Sequence, residues 1–366
     1  MNARRLPARR FASIVAVLLV VVGCSVSPSS LSSASGSPGP SDSPAAGLVA
    51  IGAGLIGPSG VTAAVYATGL TNASAIAFDP EGRLWVATAG YSDASTDGVY
   101  LVPSSGATPE KIIDRVSTPL GLLWYQGSLY VSSADGVVAY AGFAGTSFAS
   151  QRTVVNFATG TGEVNGIAIG PNGRFVLGIS APCDSCKPTS AWSASVVSFL
   201  PDGSDLRVEA SGIRAPVGLA YYPGTSDLFV TMNQRDDLGE ATPGDWLAVV
   251  SRGQDWGFPA CYGQGGDACT GSPAPTAVLD KHAAVSGVAI VTDGLGSTIG
   301  PSALVAEWAQ GKVLRVALVH DGTAWTGTVT TFLSGLQQPV PVLSGPDGAV
   351  FVGDWGTGIV YRIAAA

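Results

Sequence analysis

Residues 75–88 read AIAFDPEGRLWVAT: a short apolar strand, a turn with proline and glycine, and a second apolar strand carrying a tryptophan. Short apolar runs separated by such turn residues are typical of paired β-strands. The pattern returns in PLGLLWYQGSLYVS from Pro119, NGIAIGPNGRFVLG from Asn165, PVGLAYYPGTSDLFVT from Pro216 and PVLSGPDGAVFVGD from Pro341. A more divergent copy, VSGVAIV, begins at Val285. The chain is therefore predicted to repeat one β-rich unit.

The spacing of the copies predicts a β-propeller. Their turns recur about every fifty residues, and six copies over residues 48–366 leave about fifty-three residues each, the size of a four-stranded blade. Helical periodicity is scarce, which argues against a parallel α/β fold. We predict an all-β, six-bladed β-propeller over 48–366, although five or seven blades stay open. A ligand site is expected at one end of the central channel.

The first 23 residues are predicted to be a cleaved signal peptide. Four arginines precede an apolar run from Phe11 to Val22 that is too short to span a bilayer. Val21-Val22-Gly23-Cys24 resembles a bacterial lipobox, which implies that Cys24 is lipidated and anchors the protein to the membrane outside the cytoplasm. An ordinary secretory signal is the alternative.

The segment 24–47 is rich in Ser, Pro and Gly and is predicted to be a disordered tether. Removal of the signal leaves 14 of the 18 basic residues against 26 acidic ones, a net charge of −12. An acidic chain without a basic cluster argues against nucleic acid as a partner.

With Cys24 assigned to lipid, four cysteines remain in two close pairs, Cys183 with Cys186 and Cys261 with Cys269. In an oxidising compartment each pair is predicted to form a local disulfide. A redox-active pair or a zinc site is the alternative for Cys183 and Cys186.

The segment from Gly212 to Gly263 carries a resemblance to a known family. GIRAPVGLAYYPGTSDLFV is followed by an acidic loop, NQRDDLGEATPGDWL, and by the turn QDWGFPACYG. In this order the chain resembles the soluble glucose and sorbosone dehydrogenases, six-bladed quinoproteins that use pyrroloquinoline quinone (PQQ), and the resemblance spans roughly residues 165–363. It implies an extracytoplasmic oxidoreductase whose partners are a small-molecule sugar and an electron acceptor, with Ca²⁺ polarising the quinone.

PQQ carries three carboxylates, which need cationic partners. The resemblance assigns this role to Arg214 in GIRAP and to Lys312 and Arg315 in QGKVLRV. Ala215 and Gln338 stand where the family has an asparagine and an arginine. For the two residues of QGKVLRV, an ordinary strand-edge charge is the alternative.

The family uses a histidine as the base that removes the hydroxyl proton. At the matching position, nine residues before Pro171, this chain has Gly162. The neighbouring Glu163 could replace it if burial raised its pKa, and His282 in DKHAAVSGV could face the channel. The alternatives are a solvated loop glutamate and a strand-end histidine bonded to the backbone.

The acidic loop is predicted to hold Ca²⁺ through oxygen ligands. The candidate ligands are Asn233, Asp236, Asp237, Glu240 and Asp245. A solvated, hydrogen-bonded loop is the alternative. The aromatic residues that follow suit either a sugar ring or propeller packing: Trp246, Trp256, Phe258 and Tyr262.

Two other functions stay open, because propellers host many chemistries. One is a lactonase-like hydrolase, in which Glu163, Asn165 and Asn233 hold a divalent ion that activates water. The other is a non-catalytic binding propeller that has lost its active site.

Overall fold

A computed structural model describes residues 47–91 and 97–366. The predicted signal peptide, the lipidation site at Cys24 and the tether up to residue 46 lie outside the described residues. Among those described, no helix has the length and apolar character needed to cross a bilayer.

The strands follow one another in chain order. A hairpin, β1 (Leu48–Gly52) and β2 (Leu55–Pro58), precedes β3 (Val61–Ala67). Blade 1 contains β4 (Ala73–Phe78), β5 (Leu84–Thr88), β6 (Gly98–Val102) and β7 (Glu110–Asp114). Blade 2 contains β8 (Gly121–Tyr125), β9 (Ser128–Ser133), β10 (Gly136–Phe143) and β11 (Phe148–Asn156). Blade 3 contains β12 (Val164–Ile169), β13 (Phe175–Ile179), β14 (Ser195–Phe199) and β15 (Arg207–Ala210).

Blade 4 contains β16 (Pro216–Tyr221), β17 (Leu228–Met232), β18 (Trp246–Val250) and β19 (Ala277–Val278). Blade 5 contains β20 (Val285–Val291), β21 (Ser302–Glu307), β22 (Lys312–His320) and β23 (Trp325–Leu333). Blade 6 contains β24 (Pro339–Ser344), β25 (Val350–Asp354) and β26 (Ile359–Ala365), and β3 is its fourth strand. Two short 3₁₀ turns, Gly239–Ala241 and Asp267–Cys269, lie between β17 and β19.

Within the described ranges these strands form six four-stranded antiparallel sheets and the separate hairpin. The first strand of each blade contacts the first strands of its neighbours, and β24 contacts β4 to complete the ring. The all-β, six-bladed propeller is thus confirmed, and the divergent copy at Val285 is the inner strand of blade 5.

The inner strands approach one another closely because small residues line them. A Cβ on Gly166 of β12 would lie 2.6 Å from the carbonyl oxygen of Val217 in the next blade. Hydroxyl groups then bond across the blade boundaries. Ser132 donates to the carbonyl of Asn165 at 2.6 Å, and Thr231 donates to the carbonyl of Ser286 at 2.7 Å. These contacts fix the positions of the strand ends around the channel.

The core lies between the blades, where aromatic residues of neighbouring sheets meet. Trp85 of blade 1 is fully buried and packs edge-on against Trp124 and Phe143 of blade 2. Its indole nitrogen donates to Asp79 at 2.8 Å, which satisfies its only polar atom. Burial of such large apolar faces supplies most of the stability of this fold.

The ring closes by pairing the two ends of the described chain. Strand β3 pairs antiparallel with β26, and Val65 faces Tyr361 in this register. The hairpin β1–β2 is bound to the segment directly after β23, where Ile56 and Ser334 exchange backbone hydrogen bonds. Blade 6 is therefore built from segments at opposite ends of the sequence.

Both predicted disulfides are present. Cys183 bonds Cys186 and Cys261 bonds Cys269. Each bond lies in a loop on the side of the propeller where the first strands of the blades begin, so both stabilise loops beside one mouth of the channel.

Candidate functional site

The channel mouth on this side is formed by residues that come directly after the second strand of a blade. Ser180 follows β13, Asn233 follows β17, Trp308 follows β21 and Trp355 follows β25. Because the second strands run in the same direction in every blade, these side chains reach the same end of the channel. The backbone before β12 adds Glu163 to the group.

Two adjoining cavities open at this mouth. The central one has a volume of about 320 Å³ and the lateral one about 470 Å³. They share Glu163, Val217 and Asn233. The central cavity is also lined by Tyr91, Asn165, Ser286, Trp308 and Trp355. The lateral cavity is also lined by Gly162, Ser180, Pro182, Arg214 and Ala215.

Glu163 is the acidic group at the junction of the two cavities. Its side chain is accessible from the channel, yet the surrounding protein raises the pKa of its carboxyl group, and the hydrogen bond from Tyr91 opposes part of that shift. A carboxylate with a raised pKa is a better base near neutral pH. That Glu163 acts as the base stays a prediction.

Gly162, at the position of the family histidine, cannot carry a side chain in this backbone. Its φ is +122°, and a Cβ there would overlap the carbonyl oxygen of Ser180. The main chain at this point is bonded closely to the next loop, because the Ser180 amide donates to the carbonyl of Glu163 at 2.9 Å. A histidine at this position would therefore require a different backbone.

Asn165 and Asn233 each present a side-chain oxygen without a partner. Asn165 is 1% exposed, and its amide nitrogen donates to the hydroxyl of Ser180 at 2.8 Å. Its Oδ1 atom and the Oδ1 atom of Asn233 are buried and accept no hydrogen bond from any described residue. Leaving a buried acceptor unpaired costs free energy, so these two oxygens are available to accept hydrogen bonds from a ligand.

Two tryptophans that sequence analysis did not select line the central cavity. Trp308 and Trp355 pack edge to face with centroids 6.0 Å apart, and the indole nitrogen of Trp355 donates to the carbonyl of Ala89 at 2.9 Å. A signal for them exists in the sequence, since Glu307-Trp308 and Asp354-Trp355 occupy equivalent positions after β21 and β25. They give the cavity a fixed aromatic wall.

Arg214 lines the lateral cavity. It forms an ion pair with Asp184 beside the Cys183–Cys186 disulfide, and its Nη1 atom donates to the carbonyl of Asn233 at 3.3 Å. Its Nε atom is buried and has no partner among the described residues. One donor of this guanidinium therefore remains for a ligand.

Lys312 and Arg315 do not line either cavity. The Lys312 ammonium pairs with Asp280 and with the buried Glu307, at 3.4 Å from the latter. Arg315 donates to the hydroxyl of Ser302 at 2.9 Å and to the carbonyl of Ile299, at the far end of β21. Both residues therefore serve the packing of blade 5. The sequence could not show this, because the strand pattern does not reveal which end of the blade each side chain reaches.

The residues at the mouth do not fit a quinone with three carboxylates. Arg214 is the one cation among the described residues lining the two cavities, and an aspartate already neutralises it. Glu163 adds a group that is negative when ionised. A tricarboxylate placed here would lack two of its three cationic partners.

His282 holds the acidic loop against blade 5 and does not line the channel cavity. Its Nδ1 atom lies 2.7 Å from a carboxylate oxygen of Asp236, and its Nε2 atom lies 3.0 Å from the carbonyl oxygen of Gly239. These bonds, with that to Asp236 foremost, raise the pKa of His282. The neighbouring Lys281 donates to the carbonyl of Glu240 at 2.9 Å. His282 is thus placed as a structural residue.

The acidic loop does not gather its carboxylates around one point. Asp237 binds Arg235 through two hydrogen bonds, which lower the pKa of that carboxyl to about 2. Asp245 is buried and accepts from the amides of Gln234 at 2.8 Å and Val285 at 3.2 Å. Burial raises its pKa to about 6.

Of the five predicted Ca²⁺ ligands, Asn233 alone lines the channel cavities in the described structure. No group of three or more His, Cys, Asp or Glu residues in the described ranges is arranged to hold a metal ion. The predicted loop site thus differs from the observed arrangement, in which Asp236, Asp237 and Asp245 bind neighbouring donors. Charge composition alone does not show which donors a carboxylate will bind.

The aromatic residues after the acidic loop form a separate cluster. Trp246 and Trp256 are buried and stacked, with centroids 4.6 Å apart. With Phe258 and Tyr262 they line a small cavity of about 190 Å³ under the Cys261–Cys269 disulfide. This arrangement agrees with the packing alternative.

The ring of six four-stranded blades and the position of the mouth can be compared with known structures. A calcium structure of a Trichoderma reesei protein of carbohydrate-active enzyme family AA12 has a TM-score of 0.72 at 17% identity, covering 86% of this chain and 97% of that one. This chain has the fold of the sugar dehydrogenases.

Two further structures agree. The holo form of the PQQ domain of pyranose dehydrogenase from Coprinopsis cinerea has a TM-score of 0.68 at 16% identity, covering 85% of this chain and 97% of that one. The PQQ-bound aldose sugar dehydrogenase of Streptomyces coelicolor has a TM-score of 0.66 at 19% identity, covering 85% and 100%. No protein-family model and no curated protein matches the sequence. The resemblance predicted from the sequence is confirmed at the level of the fold.

Proposed function

We propose that the channel mouth binds a sugar or a sugar-derived molecule and that Glu163 exchanges protons with it. The observation that carries this proposal is the pair of unpartnered amide oxygens, on Asn165 and Asn233, in the same cavity as Glu163. Sugar hydroxyls are donors that would satisfy such acceptors. The faces of Trp308 and Trp355 supply the apolar part of the wall.

The cavity has the properties of a small-ligand site. Its walls are apolar and aromatic, with a few polar groups that could fix the orientation of a ligand. The structural neighbours are named as proteins that act on sugars, which supports a ligand of this class. The local bonds of Asn165 and Ser180 hold the polar groups in place before a ligand arrives.

We also propose an extracytoplasmic location. Two disulfides in the domain support it, because disulfides persist in oxidising compartments. Lipid anchoring through Cys24 is a prediction from the sequence.

A second candidate function is oxidation of the same sugar with transfer of its electrons to an acceptor. The names of the neighbouring structures and the unpartnered Nε atom of Arg214 favour it. The missing cationic partners mean that PQQ would be held by fewer contacts than the sequence predicted, since Arg214 is already paired with Asp184.

Binding is tested by titrating the purified protein with a panel of aldoses and aldonolactones and recording tryptophan fluorescence. We expect one sugar class to change the fluorescence, and Trp308→Ala to weaken its binding by at least tenfold, about 1.4 kcal/mol. Trp325→Phe is the matched control, because Trp325 lies on β23 and packs against Tyr222 away from the mouth. The proposal fails if no sugar binds at millimolar concentration or if both variants weaken binding equally.

The reaction is tested with the same ligands. Dye reduction that requires added PQQ would establish the oxidation, and proton release from a lactone would establish hydrolysis. In either case Glu163→Gln should remove turnover and retain ligand binding. Full turnover in that variant would exclude Glu163 as the base, and binding without turnover would identify a binding propeller.

A further inference from the structure

An acidic group of a neighbouring loop already matches the cation of the lateral cavity. The Nη2 atom of Arg214 donates to the Oδ1 atom of Asp184, and the side chains of this ion pair are 19% and 36% exposed. The main chain is joined at the same point, because the amide of Ala181 donates to the carbonyl of Arg214 at 2.6 Å. A pair that is partly shielded from water is screened less than a pair on the open surface. Asp184 therefore cancels much of the positive charge that Arg214 would present to a ligand.

Two bonds restrain the loop segment that carries Asp184. This residue lies inside the four-residue ring that the Cys183–Cys186 disulfide closes. The next residue in the ring, Ser185, hydrogen-bonds the carboxylate of Asp237 in the acidic loop. A carboxylate on such a restrained segment loses little conformational freedom when it pairs with a cation. The ion pair is thus built into the loop and does not depend on a bound ligand.

The other charged group at the mouth is negative when ionised. Glu163 lies where the two cavities meet, and no cation besides Arg214 lines them within the described ranges. A ligand with a carboxylate or a phosphate would bring an unpaired charge beside this carboxylate in a partly enclosed site, which costs free energy. A neutral polyhydroxyl ligand avoids that cost, and its hydroxyls can donate to the unpartnered Oδ1 atoms of Asn165 and Asn233. The charges at the mouth therefore favour a neutral ligand.

We propose that Asp184 determines the charge specificity of the site: by neutralising Arg214 it excludes sugar acids and sugar phosphates. Asp184 lines neither cavity, so it acts through Arg214 and does not touch the ligand. The inference rests on the proposed function and makes its ligand class more specific. Without the charge of Asp184, Arg214 would stand as an unopposed cation beside the ligand, and the same site would accept an anionic sugar.

The test compares aldoses with the sugar acids that differ from them by one carboxylate: glucose with glucuronate, and galactose with galacturonate. Each is titrated near neutral pH into the native protein and into Asp184→Asn, and tryptophan fluorescence is recorded. We expect the native protein to bind the uronate at least about tenfold more weakly than the aldose, and Asp184→Asn to bind the uronate at least about tenfold more tightly than the native protein does. Aldose binding should stay within about threefold. Asp347→Asn is the matched control and should keep the native preference, because it makes the same change in net charge at an ion pair with Arg362, 2.7 Å long, in the turn between β24 and β25.

A second measurement does not need a bound sugar. Phenylglyoxal modifies arginine side chains, and peptide mass spectrometry follows Arg214 with Arg362 as the reference in the same sample. We expect Arg214 to react faster in Asp184→Asn than in the native protein, because its ionic partner is gone. The inference is overturned if that rate does not change, or if sugars bind and Asp184→Asn leaves the preference between aldose and uronate as it was. Failure of the proposed function is a separate result: no aldose or uronate binds either protein, whereas faster modification of Arg214 still supports the role of Asp184.

Discussion

Glu307 allows a stability prediction to be worked out from the structure. It ends β21, is fully buried, and accepts a hydrogen bond from the Asp280 amide at 3.3 Å. Burial, and then the nearby charge of Asp280, raise the pKa of Glu307 from 4.5 to about 7, although Lys312 opposes the shift.

The sign of the pH dependence follows from that shift. The folded protein retains a proton on Glu307 between about 4.5 and 7, where the unfolded chain has lost it. The contribution of this group to the free energy of unfolding therefore falls as pH rises through that window, and the loss is complete above about 7. A shift of this size corresponds to about 3 kcal/mol, and relaxation of the exposed Asp280 side chain reduces the expected effect to about 1–2.5 kcal/mol.

The perturbation is Glu307→Gln, which keeps the shape and removes the charge. Its amide leaves one local hydrogen bond unmatched at every pH, so the informative quantity is the change with pH. Relative to the native protein, the variant should gain about 1–2.5 kcal/mol of unfolding free energy between about pH 5 and pH 8. Urea unfolding followed by tryptophan fluorescence measures it at the two pH values.

Glu110→Gln is the control, because Glu110 is exposed on β7 and its removal should give no such pH-dependent gain. The reasoning is refuted if Glu307→Gln changes stability by the same amount at both pH values, or if it becomes more destabilising as pH rises.

Two further predictions concern blade 6 and the N-terminus. Asp354 is buried and accepts hydrogen bonds from the amides of Gln337, Gln338 and Gly356 at 2.9, 2.9 and 3.1 Å. Asp354→Ala should therefore lower the unfolding free energy by about 3–5 kcal/mol in urea titrations, and a loss below about 1 kcal/mol would contradict this accounting. Mass spectrometry of the mature protein should find lipidated Cys24 as the first residue, and Cys24→Ser should release the protein from the membrane; an unmodified N-terminus elsewhere would refute the anchor.

The fold could be predicted from the sequence because each blade is encoded locally. The strand–turn–strand pattern at Ala75 repeats with one period. Even the divergent copy at Val285 has a glycine, Gly287, at the third position of its inner strand, as β12 has Gly166. Cysteine spacing was equally local, so both disulfides could be predicted. The closure through β3 was not predicted, because pairing between distant segments leaves no local pattern.

The site could be predicted only in part. Arg214 and Glu163 lie beside strand ends that the repeat already located, and both line the mouth. Lys312 and Arg315 were misplaced because their positions along the strand do not show which neighbours will take their charge. Trp308 was missed since its signal, an acidic residue and a tryptophan after the second strand, becomes visible only when blades 5 and 6 are aligned.

The pairing of β3 with β26 affects how the polypeptide can fold during synthesis. Its register joins Val65 to Tyr361, so blade 6 cannot form until the last strand has been made. A contact between residues so far apart in the sequence slows folding, because the chain must close a long loop before the contact forms. A chain shortened before Ile359 would expose the edges of β25 and β3, which are ready templates for pairing with other chains. Premature termination should therefore lead to aggregation and degradation, with no partly active product.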